Sequence, residues 1–265
     1  MKILAKVGGT LLDAPESRAN IAAQLASVAS THQLVVVHGG GKQLTRHLEE
    51  RGIASRFVNG LRVSDDNVID AALKVIAGSV NKQFVSALRA AGVSALGLSG
   101  VDGSLTIARQ MNPALESVGA PVRSNGELLR LLNGAGYLPV VACLAGDEQG
   151  RVYNVNADQM AVSCAVAYGA EKLVFLTDVP GVKNAEGDVL ARIDPDEIGR
   201  LIRSGVAHGG MQAKLEAGVA ALAQGVEEVV IAPGQAEDVC ARILAGEALG
   251  TRLSLSVPQP EEARC

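Results

Sequence analysis

Several features that would point quickly to a function are scarce or missing. The 265-residue chain has no tryptophan, and aromatic residues make up 2% of it. With hydrophobic residues at 48%, the core must therefore be built from Val, Leu, Ile and Ala. There is no basic excess: the net charge is −4, which leaves no electrostatic footprint for nucleic acid. No apolar run reaches the roughly 20 residues that cross a bilayer. The N-terminus runs straight into a strand, without the pattern of a signal peptide. A cytoplasmic protein with no membrane partner is the expectation. The four cysteines, Cys143, Cys164, Cys240 and Cys265, form no C-x-x-C pair. They read as three small core residues and one tail thiol. The four histidines lack zinc-ligand spacing, and no metal site is expected in the protein itself. The Walker A pattern G-x-x-x-x-G-K-[ST] is absent, and so is G-x-G-x-x-G.

Glycine, by contrast, is abundant at 30 residues, and much of it sits where strands end. Lys2–Val7 reads as a buried strand that ends in Lys6-Val7-Gly8-Gly9. Gln33–Val37 reads as a Val-rich central strand that ends in His38-Gly39-Gly40-Gly41-Lys42, with a helix to follow. A strand, a glycine run and a helix N-terminus make a place for an anion. Phe57–Val63 reads as a hairpin around Asn59-Gly60, with Arg62 just after the turn. An arginine there suits bidentate binding of a carboxylate. Ser64 is expected to cap a long, apolar-striped helical stretch that runs to Ala91 with a bend near Gly78. That stretch could serve a dimer interface or the core.

The stretch Asn154-Val155-Asn156-Ala157-Asp158-Gln159 reads as a helix start. Asn156 is the N-cap and Gln159 is placed to complete a capping box. Asp158 then lies in the first turn of a buried helix. The strand Lys172–Leu176 ends in Asp178-Val179-Pro180-Gly181-Val182, at the side of an open sheet where ligands bind. Gly209-Gly210-Met211-Gln212-Ala213-Lys214 opens another helix, with Lys214 expected in its first turn. A cation there opposes the helix dipole unless an anion binds beside it. Thr251–Leu253 reads as an edge strand, and Val257–Cys265 as a disordered tail. No linker separates independent domains.

Two glycine–lysine anion sites with an aspartate between them suit phosphoryl transfer, in which positioning and electrostatics carry the catalysis. Lys6 and Lys214 can neutralise the transferring group from two sides, and Asp158 can organise them. No general base is visible. None is needed if the acceptor is a carboxylate, which at a pKa of about 4 is already ionised at neutral pH.

Lys6-Val7-Gly8-Gly9, His38-Gly39-Gly40-Gly41, Asn59-Gly60-Leu61-Arg62-Val63, Asn154–Asp158 and Gly209–Lys214 occur in that order. Together they resemble the amino acid kinase family, and within it the acetylglutamate kinases, over Lys2 to about Leu253. The resemblance implies an αβα sandwich around a mainly parallel sheet of about eight strands. It implies a single domain with an N-terminal lobe (about 1–153, substrate and dimerisation) and a C-terminal lobe (about 154–253, nucleotide), followed by a tail (254–265). It also implies phosphorylation of the γ-carboxylate of N-acetyl-L-glutamate by ATP, with Mg²⁺ riding on the ATP phosphates, as the second step of arginine biosynthesis. Catalysis would fall to Lys6, Lys214 and Asp158. Gly40, Gly41, Arg62 and Asn154 would bind the substrate. Gly8, Gly9, Asp178, Val179, Pro180, Gly181, Val182, Lys183, Val206, Ala207, His208 and Met211 would meet the nucleotide. Ser64, Val101 and His208 depart from the family's usual residues, and none belongs to the catalytic set. The missing helix before Met1 implies a homodimer insensitive to arginine. Two rivals remain: a kinase acting on aminoadipate or glutamate held by a carrier protein, and a non-catalytic amino-acid or nucleotide sensor. The net acidic charge argues against docking an acidic carrier. The intact lysine–aspartate set argues against a sensor.

Overall fold

A computed structural model describes residues 1–255. The C-terminal tail from Val257, with Cys265, lies outside them. The first half alternates short strands and helices. β1 (Lys2–Val7) leads to α1 (Pro15–Ala29), which begins with a proline whose missing N–H costs the helix nothing at that position. β2 (Gln33–His38) leads to α2 (Gly41–Glu50). β3 (Phe57–Val58) and β4 (Leu61–Arg62) pair as a hairpin. Its turn residues Asn59 and Gly60 both have positive φ (49° and 77°), as the twist of a two-residue hairpin demands.

α3 (Asp66–Ala72) is capped by Asp65, whose carboxylate accepts the Val68 N–H, and not by Ser64. Ser64 is buried; it donates to the Arg62 carbonyl and accepts from Asn154. The helix then widens into a π-helical segment, Leu73–Val80, and continues as α4 (Asn81–Ala90). The expected bend near Gly78 is this segment.

β5 (Ala95–Ser99), β6 (Thr106–Gln110) and β7 (Val118–Ser124) precede α5 (Gly126–Gly134). β8 (Leu138–Ala142), β9 (Leu144–Gly146) and β10 (Val152–Val155) lead into α6 (Ala157–Tyr168). The second half holds β11 (Lys172–Thr177), β12 (Arg192–Ile193), α7 (Pro195–Arg203), α8 (Gly209–Ala223), β13 (Glu228–Pro233), α9 (Val239–Leu244) and β14 (Thr251–Leu253).

Eight strands form one sheet in the order β12-β14-β13-β11-β1-β2-β8-β5, parallel throughout except where β13 meets β14. The predicted sheet of about eight mainly parallel strands is therefore present. Thr251–Leu253 is not its edge: β14 lies between β13 and β12. β6, β7, β9 and β10 close into a separate small barrel, which local sequence patterning did not reveal.

Strand alternation sets the two faces. Ile3 and Ala5 of β1 meet Leu25 and Val28 of α1 and Cys240 and Leu244 of α9. Lys6, the next residue, points the other way, to Asp158 at the start of α6. Helices thus cover both faces, and β1 at the centre carries its lysine toward the α6 side. β1 joins the two halves of the chain, because it pairs with β2 on one side and with β11 on the other. The strand ends near Gly8, Gly39 and Thr177 consequently share one edge of the sheet, where a ligand crevice forms.

Candidate active site

The site begins with two glycine turns in contact. A Cβ on Gly9 would stand 3.1 Å from the Gly40 nitrogen, and one on Gly40 would stand 3.2 Å from Ile76. A side chain on Gly9 would press on the Gly40 turn and one on Gly40 would press on Ile76, so close approach favours glycine at both. Gln43 ties the turns together by donating to the Gly9 carbonyl (2.8 Å).

These turns form one wall of a cavity of about 260 Å³. Lys6, Gly9, Gly40, Gly41, Arg62 and Asn154 all line it. These six residues come from four separate stretches of sequence. The Arg62 guanidinium donates to Thr45 Oγ1 (2.6 Å), to the Gly41 carbonyl (3.3 Å) and to Ser55. It also lies 4.7 Å from the centroid of the exposed Phe57 ring. The fork of Arg62 is thus held in place by these partners, an ordered donor set of the kind that suits a carboxylate. Asn154 donates to Ser64 (3.1 Å), which orients its carbonyl oxygen.

Asp158 stands at the back of this arrangement. Asn156 caps α6 by accepting from the Asp158 and Gln159 N–H groups (2.8 and 3.3 Å). The described contacts include no return bond from the Gln159 side chain, so the capping box is half formed. The cap holds the Asp158 carboxylate 2.7 Å from Lys6 Nζ through one oxygen and 3.5 Å from Lys214 Nζ through the other. Asp158 is 5% exposed. Burial pushes its carboxyl upward, but the Lys6 and Lys214 charges outweigh that, and its pKa lies below the usual carboxylate value. For Lys214, burial and the Lys6 charge outweigh the Asp158 and Asp178 carboxylates, and its pKa is lowered.

Lys214 is the sixth residue of α8, not a first-turn residue. Helical side chains lean toward the N-terminus. Its ammonium accordingly reaches back to the Gly210 carbonyl (3.2 Å), into the first turn where an anion is favoured.

Apart from Gly9, which lines the cavity, the expected nucleotide residues lie outside it, toward β11 and α8. Asp178, Val179 and Pro180 are exposed beyond β11. Gly181 and Val182 are buried; the Val182 N–H donates to Thr251 (2.8 Å) and its side chain sits in the core. Lys183 is exposed and bridges to Val189. Gly8 donates its N–H to the Leu176 carbonyl (3.0 Å). Val206 is half-buried and Ala207 buried, ahead of His208, the exposed N-cap of α8. Met211 packs partly against the core.

Cys143, read from sequence only as a core residue, also lines the cavity. Burial raises its thiol to about 11, so it stays protonated beside Lys6. Thr45 and Ser55 also escaped sequence reading, because nothing local marks a hydroxyl that will meet a distant arginine.

A family model described as the amino acid kinase family matches residues 1–233. The chain belongs to the amino acid kinase family. It falls among this family's acetylglutamate kinases. It is 55% identical to the acetylglutamate kinase of Solibacter usitatus over 254 residues, covering 96% of this chain and 99% of that one. It is 44% identical to that of Koribacter versatilis over 261 residues, covering 97% and 100%. Among solved structures, N-acetylglutamate synthase from Neisseria gonorrhoeae, in complex with coenzyme A and N-acetyl-glutamate, matches with a TM-score of 0.84 at 26% identity. That match covers 97% of this chain and 60% of the synthase.

Proposed function

We propose that the chain transfers the γ-phosphoryl group of ATP to the γ-carboxylate of N-acetyl-L-glutamate, in arginine biosynthesis. A carboxylate oxygen bonds to the γ-phosphorus, the bond to the β-phosphate bridging oxygen breaks, and ADP leaves with that electron pair. The product is N-acetyl-L-glutamyl 5-phosphate. One observation carries this reading: Asp158 bridges Lys6, which lines the cavity, to Lys214 of α8, which lies outside it. The two ammonium groups can then sit on both sides of the transferring group, where charge spreads over the phosphoryl oxygens.

Arg62 and Asn154 bind the acid's carboxylate and amide, and Gly40 and Gly41 take its reacting end. A cavity of about 260 Å³ is below the roughly 300–1,000 Å³ usual for drug-sized ligands and suits a small acid. The nucleotide lies along Gly8, Gly9, the segment from Asp178 to Lys183, and Val206 to Met211. Among the described residues, no three His, Cys, Asp or Glu side chains gather as a metal cage. Mg²⁺ is assigned to the ATP phosphates, the usual way this ion is held, where it would neutralise charge.

The lobes are assigned as about 1–153 and 154–253, on either side of the β1–β11 junction. A homodimer is assigned through the free edge at β5 and the neighbouring helices from α3 to α4. No described helix is long and apolar enough to cross a membrane. Use of ATP and the three free, buried cysteines among the described residues fit the cytoplasm.

The test is ATP-dependent acyl phosphate formation trapped with hydroxylamine. It compares N-acetyl-L-glutamate with glutamate, aspartate and N-acetyl-aminoadipate. Hydroxamate confined to N-acetyl-L-glutamate supports the assignment. No hydroxamate with any free acid, from folded protein that still binds ATP, moves it to a carrier-held substrate or a sensor.

A further inference from the structure

Behind the glycine turn lies a polar cluster that the transfer chemistry above does not use. His38 ends β2, directly before Gly39, and is 0% exposed. Its Nδ1 lies 2.8 Å from the Gly39 carbonyl oxygen, and its Nε2 lies 3.0 Å from Asn81 Nδ2. A carbonyl oxygen only accepts, so Nδ1 carries the proton and Nε2 accepts from Asn81. The surroundings fix the Asn81 amide. Its Nδ2 also donates to the Val140 carbonyl (3.0 Å), and its Oδ1 accepts from Lys82 (3.0 Å). Burial lowers the His38 pKa to about 4, so the ring is neutral at neutral pH, as this tautomer requires.

The fold makes room for this pair. Asn81 follows the π-helical segment Leu73–Val80, and such wider turns are common at functional sites. A Cβ on Gly97 would lie 2.1 Å from Asn81 Oδ1, so β5 yields space to it. The Phe84 ring stands edge-on to His38 with centroids 6.2 Å apart.

The consequence lies in one peptide plane. In a trans peptide the C=O and the next N–H point in opposite directions. A Gly39 carbonyl held toward His38 therefore turns the Gly40 N–H away from it, and both glycines line the cavity. Glycine on both sides makes this peptide easy to flip, so its orientation has to be imposed from outside.

We propose that His38 and Asn81 are positioning residues for phosphoryl transfer. Asn81 locks His38 in its Nδ1–H tautomer, and His38 holds the Gly39–Gly40 peptide with its N–H toward the reacting end of the acid. This rests on the assignment of acetylglutamate to the cavity.

The test contrasts two amides. In His38→Gln the terminal amide reaches the Nε2 position and leaves the Gly39 carbonyl without a donor. In His38→Asn an N–H occupies the Nδ1 position and restores it. Hydroxamate kinetics are run well below each variant's melting temperature. His38→Gln should lose about tenfold or more in kcat with KM for ATP within about twofold, and His38→Asn should recover kcat to within about threefold of the natural enzyme. Equal losses in both variants, or an unchanged kcat in His38→Gln, overturn the proposal.

Nitrogen-15 NMR of the imidazole supplies a readout independent of turnover and of whether the His38 variants fold. The natural enzyme should show His38 protonated at Nδ1 only, and Asn81→Ala should show a mixture of tautomers. A natural enzyme protonated at Nε2 overturns the proposal at once. Should the natural enzyme show the Nδ1–H tautomer but phosphorylate another acid and not N-acetyl-L-glutamate, the substrate assignment fails. The two variants are then compared on that other acid, with the same outcomes deciding.

Discussion

Replacing Asp158 with asparagine removes one charge and almost no volume. The structure sets the size of the effect. At an effective dielectric of about 20, a carboxylate 2.7 Å from Lys6 Nζ contributes a gross attraction of about 6 kcal/mol, and one 3.5 Å from Lys214 Nζ about 5 kcal/mol. Against these stands the desolvation of a buried carboxylate, itself several kcal/mol, which asparagine relieves. The fold should therefore survive with a stability change of a few kcal/mol at most. The loss falls on the two ammonium groups, which no longer have a counter-charge to hold them in place. Removing a preorganised electrostatic group costs about 10²–10³ in kcat, and a loss of that size is expected for Asp158→Asn. The pH profile should also move. Asp158 favours the charged form of Lys214, whose pKa burial already lowers. Without Asp158, Lys214 loses its proton at lower pH, so the basic limb of the kcat profile shifts toward acid. The assay is hydroxamate formation at saturating ATP and N-acetyl-L-glutamate across pH, beside a thermal melt. A folded Asp158→Asn enzyme with kcat near that of the natural protein, or with its basic limb unmoved, refutes the reasoning.

Lys6→Ala and Lys214→Ala should each lower kcat steeply while leaving acetylglutamate binding, read by calorimetry, largely intact. Arg62→Ala should raise KM for acetylglutamate by about 10–100-fold, the worth of a charge-assisted hydrogen bond of about 1.5–3 kcal/mol, with a smaller change in kcat. Gly126→Ala should destabilise the fold by about 3 kcal/mol or more in urea titration, because its Cβ would stand 1.8 Å from the Ala167 carbonyl oxygen. His38 should make the protein acid-sensitive: burial lowers its folded pKa from 6.5 to about 4. Between those values the unfolded chain binds more protons, so stability falls by about 3 kcal/mol as pH drops through the window. The urea midpoint of His38→Asn should fall less over the same range.

Much of the site was legible because its signals are local. Gly39–Gly41 follow a Val-rich strand and precede a helix, and Asn59-Gly60 is its own turn signal. Asn156 sits one residue before its helix. Each of these depends on backbone preferences within a few residues. The errors also had local causes. Asp65 competes with Ser64 for one cap, and propensity alone does not say which side chain turns inward to meet Asn154. The helix opens at Gly209 as expected, but Lys214 is its sixth residue, and only its ammonium reaches back into the first turn.

By itself the sequence determined most of the main-sheet strands and the helices beside them, the glycine turns at the strand ends and the identity of the charged groups that could work there. These follow from short-range periodicity and from the chemistry of single side chains. Only the tertiary structure decided that Lys6 and Lys214, far apart in the chain, share the two oxygens of Asp158. It alone decided that β6, β7, β9 and β10 close into a barrel, that Thr45 and Ser55 hold Arg62, and that Asn81 reaches His38 through the π-helical segment. Those contacts join residues whose separation along the chain carries no information about their distance in space. They exist because β1 pairs with β2 on one side and β11 on the other, and strand alternation turns Lys6 toward the start of α6.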